Sequence, residues 1–308
     1  MSSERIAALK APVASERGFT LSKVFADYWA LTKPDVNLLI LITTFAGFCL
    51  ARPVQSHGFP LLLLLHTLLG TLLVASGTGT LNQFVERRFD AQMRRTKRRP
   101  LAAGRIEPTH ALWFGILLSA AGAIYLSTAV NLLASLLAVV TLLSYLIVYT
   151  PLKRKTPMCT LAGAFPGAMP PLIGWAAASG TLSPEAWVLY GLVFLWQFPH
   201  FMAIAWMYRE DYERAGYLVL PHGERRNAFM TWQSIVPSLA LAPLSLGRTL
   251  LGNEGLIYTI GALLCNVGFL YCAGQLALRR NNAVARRLLL ASIIYLPVVF
   301  VLMVVDKT

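Results

Sequence analysis

Apolar residues in this 308-residue chain gather into nine long runs, at 36–52, 60–81, 110–128, 130–149, 158–178, 185–206, 231–250, 255–277 and 288–305. A membrane-crossing helix needs about 20 mostly apolar residues. The pattern therefore predicts an all-α integral membrane protein of nine transmembrane helices. Gly163, Pro166, Gly167, Pro170 and Pro171 interrupt the fifth run, which helices tolerate in lipid when neighbours satisfy the freed backbone groups. The spacing divides the chain into an N-terminal segment, 1–35, a single polytopic domain, 36–305, and a tail, 306–308.

Charge lies between the runs and sets their direction. Counted on alternate sides, 24 of the 27 Lys and Arg fall with the N-terminus, and only Arg52, Arg248 and Lys307 fall opposite. The positive-inside rule then places the N-terminus in the cytoplasm and the C-terminus across the membrane. With 56% hydrophobic and 13% charged residues, the composition excludes disorder and an ordinary soluble enzyme. The net charge of +13 suits orientation and anionic ligands; no nucleic-acid surface is expected, because the cations are split among loops. Cys49, Cys159, Cys265 and Cys272 form no CxxC pair, so neither a disulfide framework nor a metal cage is expected. The first 30 residues lack the apolar core of a cleaved signal.

Carboxylates concentrate in two polar loops. Glu86, Asp90 and Glu107 follow the second run; Glu210, Asp211, Glu213 and Glu224 follow the sixth. Four helices separate these loops, which suggests two pseudo-repeated four-helix groups plus one helix around a central cavity. Asn82, Glu86 and Asp90 are spaced i, i+4, i+8, so a continued helix stacks three oxygen ligands on one face. Such a ladder suits Mg²⁺, which takes a few carboxylates together with phosphate oxygens. Arg94, Arg95, Lys97, Arg98 and Arg99 follow directly and complement phosphate. A basic run alone is more simply an orientation signal; the ladder and the second acidic loop shift the balance.

In that second loop, Asp211 is the candidate second metal ligand, and Tyr208, three residues earlier, predicts a shared helical face and a phosphate hydrogen bond. Glu213 and Arg214 read as a local pair at a helix end. His200, after Pro199 near the end of an apolar run, is a functional candidate against an equally weighted structural role.

These stretches resemble the haem O synthases (protohaem IX farnesyltransferases), within the intramembrane aromatic prenyltransferases. The resemblance runs from Tyr28, Lys33 and Pro34 through Asn82, Glu86, Asp90, Met93, Arg95, Thr96, Arg99 and Pro100. It continues through Tyr149, Pro151, Lys153, Arg154, Thr156 and Pro157, then Pro170, Pro171, Gly174 and Trp175. Pro199-His200-Phe201 and Glu210-Asp211-Tyr212 with Ala215-Gly216 close it. Arg88, Asp35 and Cys159 depart from residues frequent in that family.

The resemblance implies Mg²⁺-dependent farnesyl transfer from farnesyl diphosphate to the 2-vinyl group of haem B, with haem B a substrate. Asn82, Glu86, Asp90 and Asp211 would act as catalytic metal ligands. Arg94, Arg95, Lys97, Arg99, Tyr149, Lys153, Arg154, His200 and Tyr208 would bind substrate. It further implies a bacterial inner membrane setting, with the bilayer as environment and haem A synthase or terminal oxidase assembly factors as partners. A quinone-type aromatic prenyltransferase is the alternative. A secondary transporter fits less well, since the runs are almost free of carboxylates.

Overall fold

The computed structural model describes residues 21–52, 58–250 and 255–306, and among these every regular element is helical. Arg5, Lys10, Arg17 and Lys307, used in the orientation count, lie outside the described residues. The first half comprises α1 (Leu21–Leu31), α2 (Pro34–Leu50), α3 (Leu61–Asp90), α4 (Pro108–Ala129) and α5 (Leu132–Leu143). From α5 the chain continues through a π-helical turn, Ser144–Tyr149, into α6 (Thr150–Leu152). The second comprises α7 (Cys159–Gly167), α8 (Met169–Ser179), α9 (Pro184–Met207), α10 (Arg209–Arg214), α11 (Arg225–Leu250), α12 (Leu256–Arg279) and α13 (Asn282–Val305).

The helix starts are legible locally. Pro34, Pro108 and Pro184 sit in the first helical turn, where no backbone donor is missed. Asn131 and Asn281 cap α5 and α13, their side chains accepting from Ala134 and Val284 N–H.

Among the described residues six helices are long and apolar enough to cross a membrane, and seven if α1 and α2, bent by 49°, count as one span. Two expected runs fall short. The run at 158–178 is two helices of 9 and 11 residues, broken at Ala168, where Pro170 and Pro171 cannot continue the α7 ladder. The run at 231–250 lies in α11, long enough but polar: Ser234, Ser238 and Ser245 are buried in the fold.

Two apolar cores are the largest among the described residues. Phe48, Leu64, Val74, Leu126 and Ile173 centre one on α2–α5 and α8; Leu189, Trp196, Met202, Tyr258, Phe269 and Leu296 belong to the other, on α9 and α11–α13. The halves join where α2 lies on α8. There Gly47 faces the Pro171 carbonyl and Gly174 the Thr44 carbonyl, with no space for a side chain.

Candidate active site

Helix α3 continues to Asp90, so Asn82, Glu86 and Asp90 do share one face, and all three are buried. Each oxygen group is met by a cation from elsewhere in the chain. Lys33 Nζ donates to Asn82 Oδ1 at 2.6 Å. Lys153 Nζ donates to Glu86 Oε1 at 2.8 Å, and Arg99 Nη1 to Asp90 Oδ2 at 2.8 Å. The ladder is thus internally neutralised, as buried carboxylates require.

Lys33 was not among the residues the spacing singled out. It reaches Asn82 because the α1–α2 turn holds it in the left-handed region, φ 56° and ψ 61°, a conformation costing a non-glycine residue about 1–2 kcal/mol. Pro34 contributes by excluding the right-handed helical region for the residue before it.

Lys153 follows the π-helical turn that brings Tyr149 and Tyr145 beside it, with ring centroids 4.5 and 6.0 Å from its ammonium. Burial alone lowers an ammonium pKa, but Glu86 and the two tyrosines outweigh it and hold Lys153 well above its usual value. The Tyr217 hydroxyl is buried beside the Glu86 carboxylate.

The second polar loop closes on the first. Asp211 Oδ2 accepts from the Arg95 backbone N–H at 3.1 Å, and Oδ1 accepts from Arg214 Nη1 at 3.0 Å. The Arg95 guanidinium lies 4.8 Å from the Tyr208 ring centre. Arg94, Arg95, Met207, Tyr208, Glu210 and Asp211 line the resulting cleft of about 390 Å³. Met93, Ala215 and Tyr217, with Phe89, Tyr212 and Val219, form an apolar clasp between the loops. Arg154 stacks on Phe89 at 4.3 Å, and the Leu218 N–H donates to the Lys153 carbonyl at 2.7 Å.

Several local readings change. Tyr208 ends α9 with φ −111° and ψ 19°, so it and Asp211 share a cleft rather than one continuous helical face. Glu213 and Arg214 do not pair with each other: Glu213 binds Arg226 at 2.6 Å, and Arg214 binds Asp211. Lys97 is exposed, as are Arg88 and Asp35, whereas Cys159 is buried. His200 stands apart from the ladder, stacked on Trp196 at 4.9 Å with Nδ1 2.7 Å from Ser292 Oγ.

Among the described residues no three His, Cys, Asp or Glu side chains gather as a ready-made metal cage. The oxygen set nonetheless fits Mg²⁺, an ion bound through one or two carboxylates plus substrate phosphate. Asp90 Oδ1 is buried without a hydrogen-bond partner, which leaves a hard oxygen donor free on the ladder.

The helical fold thus holds a buried oxygen ladder, a facing cation on each member and a cleft between two polar loops. The UbiA prenyltransferase family profile matches residues 40–296, and the chain belongs to that family. The protoheme IX farnesyltransferase of Solibacter usitatus (strain Ellin6076) is 47% identical over 287 residues, covering 91% of this chain and 98% of the relative. That of Koribacter versatilis (strain Ellin345) is 39% identical over 297 residues, covering 94% and 95%. Among solved structures, digeranylgeranylglyceryl phosphate synthase superposes with a TM-score of 0.72 at 19% identity, covering 92% of this chain and 98% of that one. A UbiA homolog from Archaeoglobus fulgidus bound to GPP and Mg2+ gives 0.64 at 16% identity, covering 90% and 99%.

Proposed function

We propose that the chain transfers the farnesyl group of farnesyl diphosphate to the 2-vinyl group of haem B, with addition of water, giving haem O and diphosphate. The near full-length relatives named protoheme IX farnesyltransferase support the substrate pair. The observation that carries the site is the buried ladder Asn82, Glu86 and Asp90 with a separate cation on each member.

Asn82, Glu86, Asp90 and Asp211 would hold Mg²⁺, whose charge stabilises a departing diphosphate. Arg94, Arg95, Arg99, Lys153 and Arg154 complement the same anion, and Tyr208 offers it a hydroxyl. Lys97, exposed beside this group, contributes field rather than contact. Neutralising the diphosphate lets the allylic C–O bond ionise. The vinyl π electrons then form the new C–C bond to the farnesyl cation. Water adds to the cation left beside the porphyrin and loses a proton. Tyr149 offers an electron-rich face at the reacting end, and His200 contacts the haem. Reading α7–α8 as one broken span and α11 as another, with α1–α2 as the first, gives nine crossings. The cation-rich loops then face the cytoplasm of a bacterial inner membrane.

The deciding assay supplies membranes with haem B, farnesyl diphosphate and Mg²⁺ and weighs the extracted haem. A mass gain of farnesyl plus water, lost in Asp90→Ala and Asp211→Ala, is the expected result. Unmodified haem together with a prenylated aromatic acid would move the chain to the quinone-type branch.

A further inference from the structure

A carboxamide presents a donor at one end and an acceptor at the other, in nearly the same shape. Only the oxygen can serve a cation. Two neighbours decide which end of Asn82 faces the site. Thr150 Oγ1 donates its one proton to the Tyr145 carbonyl at 2.9 Å. That carbonyl stands five residues back because the chain is π-helical there, and it also receives the Thr150 backbone N–H. With its proton committed, Thr150 Oγ1 can only accept, and Asn82 Nδ2 donates to it at 3.2 Å. From the other side Lys33 Nζ donates to Asn82 Oδ1. Both constraints give the same orientation.

The two are not equivalent in use. The Lys33 bond occupies the very oxygen that a metal ion must take, whereas the Thr150 bond remains available when that oxygen is occupied. Thr150 is buried at the end of α5's continuation, 68 residues from Asn82, and only the π-helical turn aims its hydroxyl so. We propose that Thr150 is a positioning residue: its hydroxyl accepts from the Asn82 amide and so presets Asn82 Oδ1 as a cation ligand. This rests on the reading of Asn82, Glu86 and Asp90 as the metal-binding ladder.

The test is direct binding on the detergent-purified full chain. Mn²⁺, a spectroscopically visible hard cation, is titrated in the presence of inorganic diphosphate, and free Mn²⁺ is read by electron paramagnetic resonance. Loss of a partner that orients a ligand typically weakens metal binding about 10–100-fold, and Thr150→Val is expected to do so while keeping its melting temperature. Thr150→Ser should restore wild-type affinity. Thr150→Cys, of similar size but with a weaker acceptor, should fall between and stands in if the valine variant does not fold. Wild-type affinity in Thr150→Val or Thr150→Cys, or a serine variant as weak as valine, overturns the proposal, provided Asn82→Ala and Asp90→Ala have lost binding. If those two variants bind Mn²⁺ as tightly as wild type, it is the ladder reading that fails.

Discussion

The backbone N–H of Arg95 donates to the Asp211 carboxylate across 116 residues, tying the polar loop after α3 to the one after α9. The donor is main chain, so this tie depends on Asp211 and not on the Arg95 side chain. Asp211→Ala should therefore loosen the arginine-rich loop. Trypsin cleavage within 94–99 is expected to accelerate about tenfold, the equivalent of one charge-assisted hydrogen bond. Arg95→Ala should leave cleavage at its remaining neighbours unchanged while lowering prenyl transfer, because it removes only the guanidinium over Tyr208. Equal acceleration in both variants would contradict this division.

The same tie has a defined acid limit. Burial favours the protonated form of Asp211, but the Arg94 and Arg95 backbone N–H groups and Arg214 outweigh it and hold the carboxyl below its usual value. A carboxylate with a depressed folded-state pKa contributes stability above its unfolded value, about 3.9, and loses that contribution as pH falls through the lowered one. Wild type should thus protect the loop from pepsin down to about pH 4 and open below it. The difference in cleavage between wild type and Asp211→Asn should shrink over that acid range. A difference that stays constant from pH 6 to the acid limit would remove Asp211 from the account.

Lys153 and Glu86 form a buried pair, with side-chain exposures of 13% and 7%. Removing one member strands the other charge, at a cost of about 3–5 kcal/mol, whereas removing both together is far milder. Lys153→Met is expected to lower the melting temperature strongly, and Lys153→Met with Glu86→Gln to recover most of it. Neither should recover prenyl transfer. Additive losses in the double variant would show that the pair is not coupled.

The ladder was legible because helical periodicity alone aligns Asn82, Glu86 and Asp90, and α3 is continuous through all three. The meeting of the two loops was anticipated only as a shared face; the Arg95–Asp211 bond depends on tertiary packing of the Met93–Tyr217 clasp. Lys33 was missed as a site residue because its role follows from a left-handed backbone, not from spacing. Thr150 was missed because a π-helical turn shifts every later residue by about one position relative to an α-helix. The fifth run was read as one helix since hydropathy does not register a break whose cause is the proline pair beyond Ala168.

The α2–α8 contact predicts a contrast between glycines. A Cβ on Gly174 would fall against the Thr44 carbonyl and 2.8 Å from Phe48 N, backbone atoms that cannot rotate away. Gly174→Ala should destabilise by about 1–3 kcal/mol, the usual range for overpacking. Gly268, inside α12, has nothing within 4 Å of its Cβ position. There alanine meets no neighbour and has the better helix propensity, by about 1 kcal/mol. Detergent melting curves should fall for the first and hold or rise for the second.

His200 supplies a prediction that follows from where protons must lie. Ser292 Oγ donates to the Leu289 carbonyl at 2.6 Å, so its proton is spent. The contact between His200 Nδ1 and Ser292 Oγ at 2.7 Å then requires the proton on Nδ1, which leaves the lone pair of a neutral ring on Nε2, the nitrogen able to ligate iron. No partner for Nε2 is seen among the described residues. His200→Ala is expected to abolish the shift of the haem B absorption band on binding. Ser292→Ala, which removes only the orienting partner, should keep the band and weaken haem affinity about tenfold. A His200→Ala protein with unchanged spectrum and haem affinity would confine His200 to packing α9 against α13, with Trp196 donating to the Ser292 carbonyl as the bond that remains.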